Sequence, residues 1–180
     1  MSDRHLEAGH GTPLVHLVDA GALRLTPAHE RLAQRFRVLV LEAAEPAALA
    51  QAIERLGLDA VNLLATGRAS RAALALALRL RERVLALALE SPEAPGDDAD
   101  ALAGLVTPTL VLLGTRDDSG ATAAGRACAQ RIPGAHLVFV YDAGRTIGRD
   151  RPEAFAEVVA DFLERHEAFV LSRTITVIHP

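Results

Sequence analysis

The chain has 180 residues, half of them apolar, with a formal net charge of −4 and a calculated pI near 6.0. That composition suits one hydrophobic core and excludes a disordered segment. With no basic field, it also argues against nucleic acid as a partner. All nineteen basic residues are Arg, and Ala and Leu are abundant. This reads as the imprint of a GC-rich bacterial genome rather than as a demand for bidentate anion contacts. Cys128 is the one cysteine, so no intramolecular disulfide forms and nothing points to an oxidising compartment. No CxxC pair or clustered His/Cys set appears, and neither a metal nor a cofactor is expected. Residues 1–11 are polar and lack the apolar centre of a signal peptide. The longest apolar run, 72–78, is far short of the ~20 residues that cross a bilayer. The expected location is cytoplasmic, with no membrane partner.

In chain order, short β-type runs alternate with stretches of helical period. Strands are predicted at 14–18, 38–41, 60–64, 84–89, 109–113 and 136–140. Helices are predicted at 27–34, 46–56, 70–82, 122–132 and 152–165. In the second helix, Leu49, Ile53 and Leu56 share one face. Asp150-Arg-Pro-Glu153 has the form of a capping box with Pro in the first turn. Residues 91–100 hold two Pro, one Gly and four acids, and read as a surface loop. Continuous apolar strands alternating with helices predict an α/β fold: a doubly wound, mostly parallel sheet covered on both faces. Residues 1–166 form one domain in this reading, and 167–180 a β-type extension. Sites in such sheets form at the carboxyl ends of the strands, here the loops 19–26, 65–70, 90–96, 114–120 and 141–149.

Those loops, in their order, resemble the α/β-hydrolase superfamily from about residue 6 to residue 163. Leu6-Glu-Ala-Gly9 followed by Pro13-Leu-Val-His-Leu-Val18 is similar to the early strand pair, and Phe36-Arg-Val-Leu-Val-Leu41 to the next strand. Leu56-Gly-Leu-Asp-Ala-Val-Asn-Leu-Leu64 resembles the approach to the nucleophile. Pro108-Thr-Leu-Val-Leu-Leu-Gly114, then Asp117, resembles the strand and loop that bear the acid. Ile132-Pro-Gly-Ala-His136, Asp142-Ala-Gly144 and Arg151-Pro-Glu153 resemble the lead-in to the catalytic His and the last helix.

The resemblance implies a GxSxG elbow, but the aligned residues are Ala65-Thr66-Gly67-Arg68-Ala69. Gly67 stands at the nucleophile position and has nothing to attack with. Arg145 stands where the resemblance places the base; it stays protonated and cannot accept a proton. Asp117 keeps the acid position, and Asp117–Arg145 is a candidate ion pair. Asp19 stands where a His-Gly pair precedes the oxyanion loop, with the wrong sign for an oxyanion. The chain leaves no room for the family's first strand. About twenty residues separate Leu89 from Thr109, too few for an inserted helical cap, so no pocket between core and cap is expected.

Other groups could act instead. Ser70 lies three residues past the vacated position, where N-capping is its ordinary role. Thr66 is near the site but lacks a neighbouring base in sequence. Ser119 and Asp118 fit turn chemistry. Of the histidines (His5, His10, His16, His29, His136, His166 and His179), none falls in the base loop. His16, inside a strand, reads as a satisfied core residue, and His29, in the first helix, could lean over the rim. Arg68, Arg145 and Arg149 could make an anion-friendly concavity with the helix start at 69–70, partly neutralised by Asp19 and Asp117; solvated surface Arg is the plainer reading. The candidate ligand contacts are thus Asp19, Thr66, Arg68, Ser70, Asp117 and Arg145. Residues 168–171 and 174–178 read as two short strands, and their pairing with a second copy would make a homodimer. Two functions remain open: a non-catalytic protein of the hydrolase type that binds a small carboxylate, a phosphate or a protein, and an esterase-like enzyme using Thr66 or Ser70.

Overall fold

The computed structural model describes residues 5–117 and 120–169. Seven strands form one sheet: β1 (His5–Ala8), β2 (Pro13–Val18), β3 (Arg37–Glu42), β4 (Val61–Thr66), β5 (Val84–Glu90), β6 (Thr109–Gly114) and β7 (His136–Val140). Their order is β1-β3-β2-β4-β5-β6-β7. β1 runs antiparallel to β3, and every other neighbouring pair is parallel. The early strand pair expected from residues 6–18 is present as β1 and β2, but β3 lies between them.

Six α-helices are described: α1 (Pro27–Leu32), α2 (Pro46–Arg55), α3 (Ala69–Arg79), α4 (Ala121–Arg131), α5 (Ile147–Asp150) and α6 (Pro152–Arg165). A 3-10 segment, Asp97–Gly104, occupies the predicted loop before β6. The sheet is covered on both faces because its strands are apolar on both. On one face Val15, Leu63, Leu87 and Val111 pack with residues of α2, α3 and α4 such as Ile53, Leu76 and Cys128. On the other, Leu14, Leu64, Ala88 and Leu110 pack with Leu32 of α1 and with Phe155, Val159 and Phe162 of α6. Cys128 is fully buried on the first of these faces, and burial pushes its thiol up to about 11, which keeps it protonated and inert.

Several boundaries differ from the sequence reading. β4 extends to Thr66, so Ala65 and Thr66 end the strand rather than begin the loop. α3 stops at Arg79 and α1 at Leu32. α5 has no counterpart in the sequence reading; it is one turn long, too short to show a period. The capping box at 150–153 does not form: Arg151 is the N-cap of α6 and makes no side-chain cap bond. Asp150 Oδ2 instead accepts the Gly144 N–H at 2.9 Å, fixing the preceding loop. Ala168 lies in a 3-10 turn, His166–Ala168, rather than a strand, and the rest of the predicted tail strands, from residue 170, lies outside the described residues.

Candidate functional site

The chain leaves β2 for β3 on one side of the sheet and then runs from β4 to β5 on the other. The carboxyl ends of β2 and β4 therefore flank a topological switch point, where the diverging loops leave a crevice. An open pocket of about 740 Å³ lies there. Its apolar lining includes Val18, Ala22, Leu25, Pro27, Ala28 and Phe155, and its polar lining includes Asp19, Arg24, Arg145, Thr146 and Arg149. The pocket needs no inserted cap: residues of the segment from Asp19 to His29 line it together with the strand ends. A smaller hollow of about 60 Å³ beside Arg71, Leu74 and Leu102 carries none of these groups.

The elbow survives as a turn. Gly67, between β4 and α3, has φ +60° and donates its N–H to the Glu90 carbonyl at 2.9 Å. A Cβ added there would lie 3.8 Å from both Arg145 Nη2 and Asp19 Oδ2, ordinary contact distance. The space a nucleophile would fill is open, and it opens toward a cation and an anion.

Four side chains that the sequence kept apart meet on the pocket floor. His16 lies on β2, His29 on α1, Thr66 at the end of β4 and Glu90 at the end of β5. Thr66 and Glu90 are cross-strand partners, and His16 is paired with Leu64, two residues before Thr66. The three strand residues project from the same face of the sheet, the one covered by α1 and α6. His16 Nδ1 is 2.7 Å from His29 Nε2, and His16 Nε2 is 2.9 Å from Thr66 Oγ1. Thr66 donates to Glu90 Oε2 at 2.6 Å. Glu90 Oε1 accepts the Gly148 N–H at 2.7 Å, and the Ile147 N–H also bonds to this carboxylate.

The backbone at the two ends fixes the direction of every proton between them. The Thr26 N–H donates to His29 Nδ1 at 3.0 Å, so the neutral ring carries its proton on Nε2. That proton goes to His16 Nδ1, the His16 proton goes from Nε2 to Thr66 Oγ1, and the Thr66 proton goes to Glu90. Both Glu90 oxygens then act as acceptors. The pKa directions for the histidines agree: burial holds His16 well below the usual imidazole value and His29 at about 4. Burial raises Glu90, against the hydrogen bonds from Thr66, Gly148 and Ile147 that favour its charge.

Of the residues singled out from sequence, Asp19, Thr66 and Arg145, with Arg149 and His29, line one pocket. Arg68 is exposed and pairs with Asp19 at 3.4 Å from outside the lining. Ser70 is fully buried, its hydroxyl bonded to the Gly67 carbonyl at 2.5 Å while it accepts the Glu93 N–H at 3.3 Å. It secures the elbow and does not reach the pocket. Asp117, on the loop after β6, is half-buried and is not part of the lining. Beside Thr66, which the sequence reading left without a neighbouring base, stands the Glu90 carboxylate; Glu90 was not singled out from sequence, although the loop 90–96 that it begins was. His16 is satisfied, as expected, by His29 and Thr66, which also line the pocket. Among the described residues no group of three or more His, Cys, Asp or Glu is placed to hold a metal ion, and no helix is long and apolar enough to cross a membrane.

No protein-family model matches the sequence, and no curated protein matches it. Solved structures do match. One is an enol-lactonase from Burkholderia xenovorans LB400, 20% identical, with TM-score 0.75 over 89% of this chain and 96% of that one. Another is an alpha/beta hydrolase enzyme from the sediment metagenome of the Mar Chica lagoon, Morocco, 19% identical, with TM-score 0.77 over 89% and 94%. A third is a thermophilic esterase from Thermogutta terrifontis with malate bound, 18% identical, with TM-score 0.76 over 91% and 93%. At these identities the likeness is one of fold.

Proposed function

We propose, for a chain that has the α/β-hydrolase fold, that the switch-point pocket binds a small organic acid and does not carry out serine-type hydrolysis. The observation that carries this reading is the elbow. Gly67 holds the nucleophile's turn with no side chain, and the open space above it faces Arg145 and Asp19. A hydrolase route through position 67 would need a hydroxyl or thiol there and a base beside it. The sequence supplies neither, and Arg145 at the base position stays cationic. Arg24, Arg145 and Arg149 outnumber the acids Asp19 and Glu90 in the lining. The lining thus carries one more cation than anions, beside apolar side chains. A solved esterase of similar fold has malate, a small carboxylate, bound. Titration calorimetry with butyrate tests the reading: heat of binding is expected from the wild type. Arg145→Ala should weaken it about tenfold, roughly 1.4 kcal/mol. No binding of any short carboxylate or of inorganic phosphate would defeat it.

A second reading rests on one specific observation. The Thr66 hydroxyl lines the pocket and donates to Glu90 at 2.6 Å, an alcohol with a carboxylate placed to take its proton. Against it, His16 Nε2 donates to the same oxygen and draws electron density away from a nucleophile. Ester turnover that Thr66→Ala abolishes would favour this second reading.

A further inference from the structure

From the hydrogen-bond accounting of the pocket floor, and resting on the carboxylate reading above, we infer that the ligand is a short hydroxy acid, its hydroxyl donating its one proton to Thr66 Oγ1 beside Glu90 and its carboxylate facing Arg145. The floor's own donors are all consumed. His16 and His29, both neutral, each have one N–H, and each gives it to the next member of the chain. The single Thr66 proton goes to Glu90. What remains is acceptor capacity: one lone pair on Thr66 Oγ1, which takes only the His16 proton, and one on the Glu90 carboxylate, which takes three of about four possible bonds. A floor of this kind welcomes an O–H. A methyl group there would strip water from two acceptors and return nothing. Sites built to bond a polar group reject the analogue that lacks it far more strongly than apolar pockets reject an extra methylene.

The acid end has a different surface. Arg145 Nη2 and Asp19 Oδ2 each lie 3.8 Å from the point where a side chain on Gly67 would begin, so a carboxylate takes the Arg145 side, and Gly67 directly follows Thr66. A chain of a few carbons laid over Gly67, in the volume the missing nucleophile leaves open, joins the two ends. The apolar wall of Val18, Leu25 and Phe155 covers its carbons. An ammonium in place of the hydroxyl would share the pocket with three Arg, whose like charge opposes it.

Titration calorimetry on the full chain tests this with butyrate, the two enantiomers of 3-hydroxybutyrate, and 3-aminobutyrate. One 3-hydroxybutyrate enantiomer is expected to bind at least tenfold more tightly than butyrate. Thr66→Ser should keep that ratio and Thr66→Val should bring it close to one, with melting curves confirming that both variants fold. The inference is overturned if the hydroxy acids and butyrate bind alike, if the ratio survives in Thr66→Val, or if 3-aminobutyrate binds best. Should butyrate bind and the preference be absent, the carboxylate reading stands and this inference alone fails. If none of the acids binds, both fail.

Discussion

Thr66 is the residue on which the site turns, because its one hydroxyl joins two histidines to a buried carboxylate. The chain it completes has a thermodynamic signature. His29 has a folded pKa of about 4 against an unfolded value near 6.5. Above pH 6.5 both states are neutral and the shift costs nothing. Below it the unfolded chain takes a proton that the folded chain refuses, so stability falls as pH drops toward 4, by about 3 kcal/mol for this residue. His16 acts in the same direction. Glu90 acts oppositely, since its raised value makes its penalty grow as pH climbs above its unfolded value. Urea midpoints measured between about pH 4 and 8 should therefore decline on the acid side, and His29→Gln should flatten that decline. Gly67→Ser is expected to fold at a cost of about 1–2 kcal/mol, for a side chain at φ +60° in uncrowded space. It should gain no esterase activity, for Arg145 cannot take its proton. In the sequence, Gly67 and Arg145 were legible as departures from a pattern. The polar chain was not, because its members are spread over 75 residues and each looks like an isolated polar residue in an apolar run. The one signal was parity: His16, Thr66 and Glu90 share a face with Leu14, Leu64 and Ala88 by the period of two. Using it requires knowing that β2, β4 and β5 are neighbours.

At the scale of elements, the pocket depends on how two segments are held to the sheet. α1, which carries His29, lies on α6 through Ala28 and Leu32, with ion pairs Arg31–Glu153 and Arg35–Glu164 over the contact. Those pairs are exposed enough to contribute little, so the apolar contact dominates. Phe162 is fully buried in that layer, and Phe162→Ala should lower stability by about 3–5 kcal/mol in urea denaturation. The loop that leads to Arg145 is held by a close approach at Gly114. A Cβ there would come within 2.2 Å of the carbonyl oxygens of Ala143 and Gly144. Gly114→Ala must push the loop off the end of β6, and it should weaken butyrate binding as well as lower the melting temperature. A merely structural glycine far from the wall would do only the second. The parallel strands and long helices were readable because their apolar runs and 3.6-residue periods are strong. α5 was not, although its N–H groups anchor Glu90, because one turn carries no period. The predicted capping box failed because Asp150 found a partner behind it, in Gly144, rather than ahead.

For the whole molecule, the fold follows from one sheet with apolar strands on both faces, and the site from where the strand order reverses. A second copy bound through residues 170–180 remains our proposal for the assembly. Phe169 stacks edge-on against His136 and Phe162 and is buried, so a truncation that probes it must end after Phe169 rather than before. Light scattering of the 1–169 chain should give a monomer where the full chain gives a dimer, and equal masses would remove that proposal. The most direct test of the central claim is the turnover of short-chain p-nitrophenyl esters by the full-length protein beside Thr66→Ala. A pocket built for holding predicts that neither is faster than a non-enzymatic protein at equal concentration. Turnover by the wild type that Thr66→Ala abolishes would mean that the nucleophile has moved one residue back along β4, and that this is an enzyme.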